Sequence, residues 1–178
     1  MSYDIYLKDP VTEKTAEVPG HLMHGGTYQA DYHPESGTFT PALNTEADLN
    51  ITYNYGHYYY EIYEEAGIRA IYGVSGFDSI SMLEKMITFL NEKYKKNGEW
   101  IITKRKKTIY YDENGNEIDG IVALINKISP VRKEEVEIEV NEGDTSDYWM
   151  DTAANAIKPL YQLLALAKMR PDCIWNGN

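Results

Sequence analysis

Asn50-Ile-Thr-Tyr-Asn-Tyr-Gly-His-Tyr-Tyr-Tyr-Glu-Ile-Tyr63 changes its periodicity at Gly56. Leading into it, Ala47, Leu49, Ile51 and Tyr53 alternate with Asp48, Asn50, Thr52 and Asn54, the pattern of a half-buried strand. Past Gly56, Tyr59, Ile62 and Tyr63 share one helical face, Tyr58 and Tyr60 flank it, and Gly67 offers a stop. A strand that runs straight into a helix points to an α+β fold. The stretch holds six of the chain's 16 tyrosines. A tyrosine ring is apolar and its hydroxyl wants a partner, so such a cluster builds either a contact surface or a hydrogen-bonded core. The core is the more economical reading, with rings buried and hydroxyls at the rim.

Outward from this stretch, Tyr3, Ile5 and Leu7 alternate with Asp4, Tyr6 and Lys8 and predict a first strand, with Thr15–Val18 returning as its hairpin partner. His21–Pro41 has glycines, prolines and no period, and reads as a long loop. A helix is predicted over 78–94 on the stripe Ile80, Leu83, Ile87, Leu90 and Tyr94, with Ser81 and Glu84 fitting a capping box. Trp100–Tyr111 reads as a strand or ribbon, and Asn114-Gly115 signals a hairpin. Ile118–Ile128 fits a strand better than a helix. Val136, Ile138 and Val140 alternate with Glu135, Glu137 and Glu139 in a further strand. The last helix, 152–169, is apolar nearly all round, so it belongs at the centre; Pro159 predicts a kink or a helix start. The expected architecture is one domain over 1–178, small antiparallel sheets packed on about three helices, with a β-rich charged insertion at 96–141.

The net charge is −11, which disfavours indiscriminate binding to nucleic acid or anionic lipid and favours a basic partner. Lys93–Lys107 reverses this locally, with seven basic residues against the single acid Glu99. Glu134–Asp151 carries eight acids and no Lys or Arg. The chain is an acidic body with one basic spur. The lone cysteine, Cys173, cannot form an internal disulfide, and neither a signal-like nor a membrane-length apolar run is present; the expectation is a cytoplasmic protein.

Several motifs invite chemistry. His21-x-x-His24 with Asp31 and His33 suggests a metal, but the spacing matches no zinc pattern and no cysteine is near. Gly73-x-x-Gly76 before a helix resembles a phosphate loop, without the lysine or the third glycine that such loops carry. A tight turn explains it better. No nucleophile and base stand in a recognisable pattern, so neither an enzyme nor a cofactor is expected. Two features remain. Lys104, Arg105, Lys106 and Lys107, with Tyr110 and Tyr111 close by, form a basic, aromatic ribbon able to touch phosphates; the alternative is a solvated hairpin whose charges protect an edge. Glu135, Glu137 and Glu139 should stand roughly 6.6–6.8 Å apart on one strand face. With Glu142, Asp144 and Asp147 they could imitate a phosphate backbone toward a cationic groove, or simply form the wet side of a sheet. A different reading gathers His21, His24, His33, Tyr55 and His57 around a small, nucleotide-like ligand. A third is a structural or replication-module homodimer.

Met1-Ser-Tyr-Asp-Ile-Tyr-Leu-Lys-Asp-Pro-Val-Thr12, Leu49-Asn-Ile-Thr-Tyr-Asn-Tyr55, Gly67-Ile-Arg-Ala-Ile-Tyr-Gly73 and Leu163-Leu-Ala-Leu-Ala-Lys-Met-Arg-Pro-Asp172 together resemble small prophage-encoded proteins of Firmicutes and gut bacteria. The resemblance covers roughly 1–95 and 145–178, and the intervening segment departs from it as an insertion. Some phage proteins of this general kind are anti-CRISPR inhibitors of Cas9. The resemblance therefore implies a non-enzymatic inhibitor of a host defence nuclease, with a Cas9–guide RNA complex as partner.

Overall fold

The computed structural model describes residues 1–28, 30–118 and 130–178. The strands are β1 (Ser2–Lys8), β2 (Glu17–His21), β3 (Met23–His24), β4 (Thr27–Tyr28), β5 (Ala30–His33), β6 (Thr38–Pro41), β7 (Asn44–Glu46) and β8 (Asp48–Thr52). Helices α1 (Gly56–Tyr63) and α2 (Gly76–Tyr94) follow, then β9 (Lys95–Lys96), β10 (Glu99–Trp100), β11 (Ile102–Tyr111), β12 (Glu117–Ile118) and β13 (Arg132–Asn141). Helix α3 (Ala153–Met169) and β14 (Ile174–Gly177) complete the chain. This is an α+β fold. The chain divides into a larger unit, Met1–Ile101 with Glu142–Asn178, and a smaller one, Ile102–Asn141.

In the larger unit, β1 is the middle strand of an antiparallel sheet in the order β14-β1-β8. Its alternation turns Tyr3, Ile5 and Leu7 inward, and all three are buried with Leu49, Ile51 and Trp175 from the flanking strands. The predicted return against β1 is present at its start: Thr15 bridges Lys8, the Asp9 N–H donates to the Lys14 carbonyl at 2.9 Å and the Ala16 N–H to the Leu7 carbonyl at 2.8 Å, before the chain leaves as β2 to pair with β7. The expected loop at 21–41 is corrected: β3 with β4 and β5 with β6 are short antiparallel pairs. Strands this short carry too few alternations to show a period.

Helix α2 starts earlier than the apolar stripe suggests. Ser75, not Ser81, caps it: its Oγ accepts the Asp78 N–H at 3.0 Å and donates to the Asp78 carboxylate at 2.6 Å. Gly76 is required by contact, because a Cβ there would sit 2.3 Å from the Arg170 carbonyl oxygen. Tight packing at the helix start thus explains Gly76, and a left-handed turn at φ 78° with open space around it explains Gly73. Thr152 caps α3, which runs through Pro159 as one helix rather than starting there. Leu83, Met86 and Leu90 of α2 and Leu160, Leu163 and Leu166 of α3 are all buried in the same core.

The tyrosine stretch joins this core. Tyr55, Tyr58 and Tyr59 are fully buried, while Tyr60 is 41% exposed. Their hydroxyls are satisfied inside: Tyr55 donates to the Tyr148 carbonyl, Tyr58 to Glu142 and Tyr59 to the Ala156 carbonyl. A buried hydroxyl without such a partner would cost about 1–3 kcal/mol, so these bonds set which tyrosines can be buried. Helix α1 ends at Tyr63, before Gly67, and a 3-10 segment occupies Glu64–Ile71.

In the smaller unit the sheet order is β12-β11-β13, all antiparallel. Gly115, at φ 81°, turns β11 toward β12 as Asn114-Gly115 predicts. The expected strand at 118–128 lies outside the described residues beyond Ile118.

Candidate binding surface

β11 and β13 pair in unbroken register from Ile102 opposite Asn141 to Tyr111 opposite Arg132. Successive strand residues point to opposite faces, so the run Lys104–Lys107 is divided. Lys104 and Lys106 fall on the face of Glu135, Glu137 and Glu139. Arg105 and Lys107 stand opposite Ile138 and Val136 on the other face. The sheet therefore breaks the four consecutive cations into two pairs.

The acidic row and the outward lysines meet each other. Lys104 Nζ lies 2.9 Å from Glu137 Oε1, and Lys106 Nζ lies 3.7 Å from Glu135 Oε2. The Lys104 and Glu137 side chains are each 63% exposed, so this pair adds less than about 1 kcal/mol to stability. What it does is set the sign of the surface, which alternates in charge instead of being wholly basic or wholly acidic. Tyr110 shares that face, opposite Lys133. Tyr111 lies on the other face, with the Arg132 guanidinium 4.1 Å above its ring and its hydroxyl 3.5 Å from Glu134.

Glu142 and Asp144, grouped with this row by sequence, belong to the larger unit and have other work. Glu142 is buried. Its carboxylate accepts the Tyr58 hydroxyl at 2.6 Å and the Ala153 N–H at 2.9 Å. It thus sits at the N-terminus of α3, where the helix dipole favours a negative charge. That burial removes it from any surface row. Asp144 accepts the Ser146 N–H, which lowers its pKa, and its carbonyl accepts the Thr152 hydroxyl at 2.7 Å. It is a turn former ahead of α3.

The residues proposed for a small ligand each have contacts of their own. His21 uses both ring nitrogens, one against the Glu46 carbonyl and one accepting the Met23 N–H, each at 3.1 Å. His24 is in β3, and His33 in β5 contacts the Thr40 hydroxyl at 2.7 Å. Tyr55 is buried and donates its hydroxyl to the Tyr148 carbonyl. His57 packs against Tyr58, with Asp151 3.7 Å from its Nε2. Among the described residues these histidines do not join a group of potential metal ligands.

A clasp surrounds Arg170, just past the end of α3. The guanidinium donates to Asp9 at 2.8 Å, to both oxygens of Asp172, and to the Glu17 carbonyl at 3.1 Å. The Thr12 N–H and then Arg170 hold the Asp9 carboxyl at a pKa of about 2. Burial pushes the Cys173 thiol up to about 11, so it stays protonated and unreactive. Asp9, Asp172 and Cys173 bring ligand atoms within 4.8 Å of one another, but Arg170 already neutralises both carboxylates. A cavity of about 330 Å³ opens beside the clasp, lined by Thr12, Lys14 and Glu17 among others. The clasp ties the β1 end to the α3 end, residues 161 apart in the chain, and no local pattern announces it.

No protein-family model, no curated protein and no solved structure matches this chain. Among the described residues no helix is long and apolar enough to cross a membrane.

Proposed function

We propose that this is a non-enzymatic binding protein that engages a partner protein through its 102–141 unit. The observation that carries this reading is the charge ladder of β11 and β13, Lys104 and Lys106 interleaved with Glu135, Glu137 and Glu139 on one exposed face. A phosphate backbone presents one sign of charge and rewards a continuous basic track. A ladder of both signs is complementary to a protein surface of both signs, and its charges give specificity and fast association more than raw affinity. The larger unit supplies the scaffold, and function sits on the ribbon.

The resemblance to phage-borne proteins selects the first partner to try, a Cas9–guide RNA complex, with block of DNA binding or cleavage as the outcome. The test is capture of the complex by immobilised protein, together with DNA cleavage at excess inhibitor. The proposal predicts capture and suppressed cleavage. It also predicts weaker, less salt-sensitive capture when Lys104 and Lys106 become serine. Full cleavage in the presence of excess protein removes this partner.

A further inference from the structure

We propose that the outer edge of β13 is a docking edge for an extended segment of a partner protein that carries Lys or Arg at every second position. This rests on the reading of 102–141 as the binding unit and says how that unit would hold its partner. β13 is ten residues long and pairs with β11 on one side; among the described residues no strand flanks its other side. Over Lys133–Glu139 this side offers alternate backbone N–H and C=O groups that no described strand takes up, the pattern to which another strand can add.

The side chains specify which strand. Glu135, Glu137 and Glu139 are exposed on one face, and Val136, Ile138 and Val140 are half-buried on the other. Cross-strand neighbours of opposite charge, and β-branched neighbours, are stabilising, whereas like charges directly opposite are destabilising. An incoming strand with three cations at alternate positions meets Glu135, Glu137 and Glu139, while Lys133 at the near end of the same face disfavours a fourth cation there. A second β13 would set glutamate against glutamate between two molecules of net charge −11, so the edge rejects its own copy. β11 itself shows the occupant that the row accepts, since it already sets Lys104 and Lys106 beside the same glutamates from the inner side. The docked segment should resemble β11 in this respect. It would bind by strand addition, with backbone bonds giving affinity and alternate side chains giving selectivity.

The experiment titrates the intact chain into two fluorescently labelled ten-residue peptides, one alternating Lys with Val and one alternating Glu with Val, and reads anisotropy. Saturable binding of the Lys/Val peptide and none of the Glu/Val peptide is expected. Methylating alternate backbone nitrogens of the Lys/Val peptide keeps its charge and removes donors on one edge. One of the two possible methylation registers should weaken binding by about tenfold or more, and the other should leave it unchanged. E135K/E137K/E139K should invert the preference between the two peptides. Equal binding of both methylated registers and the parent peptide would overturn strand addition, as would equal binding of the two parent peptides. The parent reading is scored separately by capture of the Cas9–guide RNA complex. Peptide binding of the expected kind without capture retires that partner and keeps the edge, while capture that a saturating Lys/Val peptide leaves intact retires the edge as the contact.

Discussion

In the larger unit, Tyr58 and Glu142 meet at 2.6 Å and both are buried. In the smaller, Tyr111 and Glu134 stand 3.5 Å apart, with Glu134 exposed. The same two residue types thus serve opposite ends. A buried carboxylate held by a hydroxyl and a helix N-terminus fixes structure, because the carboxylate, once out of water, depends on both donors. An exposed carboxylate beside a cation adds little to stability and remains available to a partner. The difference teaches that an acid's role here follows from the face it occupies, not from its place in an acidic run: Glu139 and Glu142 are three residues apart and fall on opposite sides of this line.

Mutations should separate the two regimes. The largest effect is expected for Glu142→Ala, which leaves the Ala153 N–H without its acceptor and the Tyr58 hydroxyl with only the Asp151 carbonyl at 3.1 Å. Chemical denaturation should show a loss of about 2–3 kcal/mol. A loss below about 1 kcal/mol would break the comparison at its root. Tyr59→Phe removes the 2.8 Å bond to the Ala156 carbonyl while keeping the ring, and should cost about 1 kcal/mol by the same measurement.

The Arg170 clasp sharpens the comparison through pH. The Asp9 pKa is lowered from 3.8 to about 2 in the folded chain, so its contribution to stability is present above about pH 4 and lost as pH falls toward 2. Asp9→Asn should therefore lower the melting temperature at pH 6, and the gap from the parent chain should close by pH 2. A gap that stays constant across this range would show that the charge is not what matters. The smallest effect on stability belongs to the ribbon. Lys104→Ser with Lys106→Ser should change it by less than about 1 kcal/mol while weakening partner capture. A large loss of stability there would place the ladder among the structural elements.

Local patterns in the chain carried the elements with long runs. The alternation of Ala47–Tyr53, the stripe of α2 and the apolar wrap of α3 each repeat often enough to be read, and all three are where the periods place them. Pairing partners were not legible. β1 lies between β8 and β14, and β14 is the last strand of the chain, so the sheet rests on contacts that no window of sequence contains. The Ser75 cap hid behind the exposed Phe77, which interrupts the apolar stripe at the helix start. For the ribbon, composition showed the charges and their alternation, yet the ion pairs needed the register of β11 on β13, which sets Lys106 opposite Glu137 rather than elsewhere along the row. The Arg170 clasp spans both ends of the chain and left no local trace.

The proposed function makes the larger unit a scaffold and the 102–141 unit the binding element. Its termini favour a direct test, because the Glu142 N–H donates to the Ile101 carbonyl at 3.0 Å inside the larger unit, and the two ends are already joined. Replacing 102–141 with an Asn-Gly turn and measuring capture of the Cas9–guide RNA complex beside a thermal melt examines both halves at once. The account predicts a cooperative melt and no capture by the shortened chain. A shortened chain that melts cooperatively and still captures the complex would contradict it.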